Sequence, residues 1–128
     1  MQGDRLQPGT YEPFRLKEKI GEMIRYGRPL TKQFPRKDRD LAEDIRKAML
    51  NMYHLAVQLE KKYYRKTTVQ ELDIELDWLR HLVRLAADKD AAGAKFAPPL
   101  SEHQQEVWSR YNREIGGMIG EYIKSLNR

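Results

Sequence analysis

The residues best suited to do chemistry in this sequence are cations, and they gather at two places. A first basic cluster runs from Arg25 to Arg39 with only Asp38 opposing it, and a second, KKYYRK at positions 61–66, interleaves two tyrosines with four cations. Cations neutralise nucleic-acid phosphates, and tyrosine rings stack on unpaired bases. The two clusters therefore indicate binding of RNA or DNA. The alternative for the second cluster is a solvated helix end with Tyr63 packed in the core.

Groups that would support catalysis or metal binding are scattered. The three histidines, His54, His81 and His103, fall on three different predicted helices, and none follows a glutamate by three residues as in di-iron bundles. Asp77 and His81 lie one helical turn apart, a spacing that suits a metal but more often a surface ion pair. Cysteine is absent, which excludes disulfides, thiolate zinc sites and cysteine nucleophiles. With no phosphate-binding loop or nucleophile motif either, the sequence predicts no catalytic residue, no metal and no cofactor.

Length and composition fit one helical domain. The chain has 128 residues, 40% of them hydrophobic and 34% charged, with a formal net charge of +5. A moderately basic balance points to nucleic acid, an anionic surface or an acidic protein partner. The polar start lacks the apolar segment of a signal peptide, and no stretch is long enough to span a bilayer. We therefore expect a cytoplasmic protein that does not enter a membrane.

Apolar spacing and capping motifs predict four helices. Residues 1–12, which carry Gly3, Pro8 and Gly9 without periodicity, are expected to form a flexible arm. Helices are then predicted from Pro13 to about Lys32, in the stretch from Asp38 to Lys66, from Thr68 to about Ala92, and from Ser101 almost to Leu126. Within the second of these, apolar residues at steps of three and four form one stripe: Leu41, Ile45, Ala48, Met52, Leu55 and Leu59. Capping boxes are predicted at Asp40 with Glu43, Thr68 with Glu71, and Ser101 with Gln104. Short joints favour antiparallel neighbours, so residues 13–128 should form an all-α, antiparallel four-helix bundle.

Two further features indicate contacts between copies of the chain. The third predicted helix carries a second apolar stripe beside its core stripe, made of Ile74, Trp78, Leu82 and Leu85. It meets another subunit, or else this is simply the most buried helix. On the last helix, Gly116 and Gly120 lie one turn apart and leave a flat groove for another backbone. That groove serves either a neighbouring subunit or a close crossing of helices within one chain.

Three segments of the sequence resemble one family. They are IRYGRPLTKQFPRKDRDLAEDI, LDIELDWLRHLVRLAAD and LSEHQQEVWSRYNREIGGMIGEYI, within a match from about Leu16 to Ile123. The family is the accessory variability determinant (Avd) of diversity-generating retroelements, related to the four-helix proteins of 23S rRNA intervening sequences. The resemblance implies a ring-shaped homopentamer that binds a reverse transcriptase and its template RNA and supports mutagenic cDNA synthesis.

Only a basic character is carried over from the family to particular residues, because the family's binding surface has no strict motif. The residues that receive it are Arg25, Arg28, Arg36, Lys37, Lys61, Lys62, Arg65 and Lys66. The expected function is thus that of a non-catalytic partner protein. Two alternatives stay open, a bundle of the ribosomal intervening-sequence type and a structural oligomer that binds protein alone.

Overall fold

Four long helices and one short one make up the part of the chain that the structure describes. The computed structural model describes residues 8–61 and 65–127. Its α-helices are α1 (Pro8–Lys32), α2 (Arg39–Leu59), α3 (Arg65–Ala86), the single-turn α4 (Lys89–Ala92) and α5 (Glu102–Leu126), with a 3-10 turn at Arg36–Asp38 before α2. These ranges contain no strand, so the predicted all-α class is confirmed for them. Most of the predicted N-terminal arm (residues 1–7), Lys62 and Tyr63 lie outside the described residues.

The long helices form a bundle in which each packs against two neighbours. Helix α1 contacts α2 and α5, and α3 contacts the same two helices from the opposite side. Side-chain contacts fix the direction of α1 and α2: the Lys17 ammonium lies 3.0 Å from the Glu60 carboxylate, and the Arg46 guanidinium donates to the Thr31 hydroxyl at 3.1 Å. The start of α1 thus meets the end of α2, and the end of α1 meets the start of α2. The two helices are therefore antiparallel.

The core is formed by the apolar stripes facing the bundle axis. On α2 the stripe predicted from spacing is buried from Ile45 through Leu59, with Leu41 half-buried at its margin. The largest buried side chain is Trp108 of α5, whose ring packs directly against Gly27 of α1. Tyr26 meets the same ring edge-on, with centroids 6.3 Å apart. Gly27 therefore lets α1 and α5 approach as closely as an indole ring permits.

Some predicted helix ends were wrong. Helix α1 begins at Pro8, because both Pro8 and Pro13 suit a first turn and the helix uses the earlier one. The predicted second helix, which was placed within Asp38–Lys66, ends at Leu59, so Lys61 follows it while Arg65 and Lys66 open α3.

Of the three predicted capping boxes, one is confirmed. The Ser101 hydroxyl accepts from the Gln104 N–H, and the Gln104 side chain accepts from the Ser101 N–H, both at 3.0 Å. Thr68 is buried inside α3 and does not lie at its N-terminus, since the helix starts three residues earlier at Arg65. The Asp40 carboxylate accepts from the neighbouring Leu41 N–H at 2.8 Å, inside α2.

The third predicted helix is divided at Asp88. Helix α3 ends at Ala86, and the Asp88 carboxylate accepts from the Asp90 N–H at 2.8 Å, which caps the separate turn α4. An aspartate that bonds nearby backbone N–H groups competes with continuation of a helix. This explains why the helical pattern through Ala92 does not form one helix.

Candidate nucleic-acid interface

A concave basic surface lies at the joint between α1 and α2, and we call it the joint groove. Its lining includes five cations, one aromatic ring and no acidic residue. The lining residues are Arg28, Thr31, Lys32, Phe34, Pro35, Arg36, Arg39, Ala42 and Arg46. Charges of one sign within a concave surface attract an oppositely charged chain more strongly than charges spread over a flat surface.

The sequence builds this groove through a short, bent connection. Helix α1 ends at Lys32, the Phe34–Pro35 step is non-helical, and the 3-10 turn leads directly into α2. The buried hydroxyl of Thr31 donates to the Arg28 carbonyl at 2.7 Å and accepts from the Arg46 guanidinium at 3.1 Å. Thr31 therefore holds Arg46 against the floor of the groove.

The remaining cations of the groove are free to meet a ligand. Arg28, Lys32, Arg36 and Arg39 are exposed, and none forms an ion pair with a residue that the structure describes. Exposed cations that form no ion pair with a carboxylate are available to bind phosphates.

The structure places the residues of the first basic cluster in different surroundings. Arg28 and Arg36, two members of the predicted set, line the groove. Lys37 instead pairs with Asp38 at 3.0 Å and lies over the Phe96 ring, 4.7 Å from its centroid. Arg25 is exposed on α1 but does not line the groove.

Three groove cations were missing from the predicted set. Lys32 and Arg39 stand within the sequence run of the first cluster, so their proximity was a usable signal. Arg46 lies two turns inside α2, and only the packing of α2 against the end of α1 brings it into the groove.

The second basic cluster lies near the opposite end of α2. Lys61 and Lys66 are exposed and Arg65 is half-buried, while Lys62 lies outside the described residues. Nearby, the hydrogen bond from Lys17 to Glu60 raises the pKa of the Lys17 ammonium above its ordinary value. A helix of 21 residues separates the two basic surfaces by about 30 Å.

The predicted second stripe of α3 is exposed at three of its four positions. Ile74 is 69% exposed, and Trp78 and Leu85 are each 46% exposed; together they border a shallow depression that also contains Arg84. Leu82 is only 2% exposed and belongs to the core of the chain. At 100° per residue Leu82 falls on the side of the stripe nearest the core stripe, which is why it turns inward.

Glycines of α5 have different surroundings. A Cβ at Gly116 would lie 2.5 Å from the Arg80 guanidinium of α3, so Gly116 makes room for a side chain of the same chain. A Cβ at Gly120, or at its neighbour Gly117, would meet nothing within 4 Å among the described atoms. Of the predicted glycine pair, Gly120 alone faces open space.

The Asp77–His81 pair has the geometry of a surface contact. The His81 Nδ1 lies 3.7 Å from the Asp77 carboxylate and 2.8 Å from the Asp77 carbonyl oxygen, and both side chains are exposed. Within residues 8–61 and 65–127, no group of three or more histidine, aspartate or glutamate side chains is placed to hold a metal ion. The same ranges contain no helix that is both long and apolar enough to cross a membrane.

Comparison with known proteins identifies the family of this chain. A family model described as bAvd-like matches residues 14–126 of the chain. A search of curated proteins found no match. The family match contains all of the joint groove, α3 and α5, and it agrees with the segments that resemble Avd in the sequence. Because the family match covers well over half of the chain, the chain belongs to the bAvd-like family and is an Avd-type protein.

Proposed function

We propose that this chain is a non-catalytic accessory protein of a diversity-generating retroelement, which binds the reverse transcriptase and its template RNA and supports mutagenic cDNA synthesis. Membership of the bAvd-like family supports the accessory role. The observation that carries the RNA-binding part is the joint groove, where five cations surround one concavity without an acidic residue in its lining.

The groove would bind RNA mainly through its backbone. The guanidinium and ammonium groups contact phosphates, and the ring of Phe34 in the same lining offers a surface on which an unpaired base can stack. Phosphate contacts position a strand without reading its sequence, so the chain itself contributes little base specificity. The second basic cluster, at the other end of α2, gives a further contact along an extended strand or a site for the polymerase.

Binding to RNA should depend steeply on salt, and the dependence should weaken when the groove is neutralised. Each phosphate neutralised on a single strand contributes about −0.7 to the log–log slope, so replacing four groove cations by glutamine should flatten the slope by about 2 to 3. Fluorescence anisotropy with a single-stranded RNA measures this between low and physiological salt. The four substitutions are Arg28→Gln, Lys32→Gln, Arg36→Gln and Arg39→Gln.

A matched control removes the same charge elsewhere. Its four substitutions are Lys89→Gln, Lys95→Gln, Arg110→Gln and Lys124→Gln, all at exposed positions outside the groove. The control should keep most of the salt slope. If both variants flatten it equally, net charge and not the groove drives binding.

The exposed apolar face of α3 supports assembly into a homo-oligomer, and the resemblance to Avd implies five subunits. We expect light scattering after size exclusion to report about 76 kDa, five times the 15.2 kDa chain. Trp78→Glu should lower that mass, because it places a charge within the face formed by Ile74, Trp78 and Leu85. Leu50→Glu, which changes an equally exposed residue on α2, should leave the mass unchanged. A monomer at micromolar concentration would refute the assembly.

A further inference from the structure

A small cavity between α3 and α5 collects three arginines. Arg80 and Arg84 line it from α3 and Arg113 from α5, together with the polar side chains of Gln105, Ser109 and Asn112. Its volume is about 180 Å³, and its lining includes no acidic residue. It shares no residue with the joint groove.

Of the three arginines in this cavity, Arg80 is held by contacts within the described chain. The half-buried Arg80 lies across Gly116, and its guanidinium is 3.5 Å from the Asn112 carbonyl oxygen, a contact that leaves most of its five donors available. Within the described part of the chain, Arg80, Arg84 and Arg113 form no ion pair. Gly116, in the middle of α5, thus makes room for a guanidinium that forms no ion pair within the described chain.

Asn112 is a second sign that the cavity is incomplete. The residue is 2% exposed, and its side-chain oxygen is buried without a hydrogen-bond partner among the described atoms. An unpaired buried acceptor is unfavourable, because it has lost its hydrogen bonds to water without gaining any within the protein. A ligand that enters with bound water, or that carries a donor of its own, would remove that cost.

We propose that this cavity binds the phosphate monoester of a nucleotide or of the 5′ end of a nucleic-acid strand. Three guanidiniums carry a charge that one carboxylate balances only in part, whereas a phosphate monoester carries about −1.5 to −2 and presents three oxygens. Guanidinium donors fit phosphate oxygens in paired hydrogen bonds. The small volume admits one phosphate group at the α3–α5 surface and leaves the rest of the ligand outside.

The test is isothermal titration calorimetry of the full chain with inorganic phosphate and with adenosine 5′-monophosphate. We expect one site per chain, and at least a tenfold loss of affinity for Arg80→Gln and for Arg113→Gln. Arg110→Gln removes the same charge from the exposed side of α5 and should bind like the unmodified chain.

A pair of glycine substitutions separates geometry from charge. Gly116→Ala should displace the Arg80 guanidinium and weaken phosphate binding several-fold without changing the net charge, whereas Gly117→Ala, which meets no neighbour within 4 Å, should bind normally. Both substitutions gain helix propensity, and circular dichroism of the two variants checks that a loss of binding confined to Gly116→Ala does not come from unfolding. Equal binding by the two alanine variants would overturn the proposal.

Further titrations distinguish between sources of the phosphate group and test a protein carboxylate as the alternative ligand. In the variant with four groove substitutions, short RNA with a 5′-phosphate should bind more tightly than the same RNA without it, and equal affinity would contradict a monoester site. The variant with four groove substitutions should retain phosphate binding, so loss of phosphate binding in that variant would place the anion in the groove. Binding of acetate or of a glutamate-rich peptide without binding of phosphate would assign the cavity to a protein carboxylate and refute the proposal.

Discussion

Replacing Gly27 by alanine should destabilise the bundle by about 1 to 3 kcal/mol and lower its melting temperature by about 5 to 15 °C. An added Cβ would lie 2.7 Å from one ring carbon of Trp108 and 2.8 Å from another, far inside van der Waals contact. The indole is rigid and fully buried, so α1 and α5 must move apart. The range of about 1 to 3 kcal/mol is the net effect, since the overpacking cost must exceed the gain in helix propensity of about 1 kcal/mol. Circular dichroism during thermal and denaturant unfolding measures both quantities.

Gly21 provides the matched control on the same helix. A Cβ there would lie 3.6 Å from its nearest neighbours, which is ordinary contact, so Gly21→Ala should leave stability unchanged or raise it. Equal stability for the two variants would mean that Trp108 does not fix the spacing between α1 and α5.

The sequence predicted the class of fold because its helices are strongly periodic and its joints are short. The core stripe of α2 from Ile45 to Leu59 and the cap at Ser101 depend on local spacing, and both are confirmed. Helix ends were less well predicted, since Asp88 and Thr68 each allow two local hydrogen-bonding arrangements. Packing of the whole chain selects between such arrangements, and no short segment contains that information.

The direction of individual side chains was the second feature that the sequence did not predict. Leu82 shares the spacing of Ile74, Trp78 and Leu85, yet it turns into the core because its angle on α3 lies closest to the core stripe. Arg46 and Arg80 gain their surroundings from other helices, at Thr31 and Gly116. The basic character of the α1–α2 region was therefore predictable. Which residues line the joint groove, and which line the arginine cavity, depends on contacts between helices.

The largest functional effect should come from the variant with Arg28, Lys32, Arg36 and Arg39 replaced by glutamine. Loss of four phosphate contacts at about 0.7 each corresponds to a fall in RNA affinity on the order of 100-fold at physiological salt. In a reconstitution with reverse transcriptase and retroelement RNA, this variant should fold and assemble like the unmodified chain yet yield little cDNA. Full cDNA yield from the variant would show that the groove does not bind template RNA.

A basic assembly would support synthesis by holding polymerase and RNA together. Two binding events on one scaffold turn a three-body encounter into a local one at high effective concentration. The variant with Lys89, Lys95, Arg110 and Lys124 replaced by glutamine has the same net charge as the groove variant and should still support synthesis. If it fails as well, the requirement is for total charge and the groove has no special part in it.

The accessory role itself is tested most directly by measuring cDNA made from the retroelement RNA by its reverse transcriptase, with and without this protein. The polymerase alone should make little cDNA, and adding the protein should restore synthesis in proportion to the amount added until the polymerase is saturated. Equal cDNA yield in the presence and absence of the protein would contradict the account.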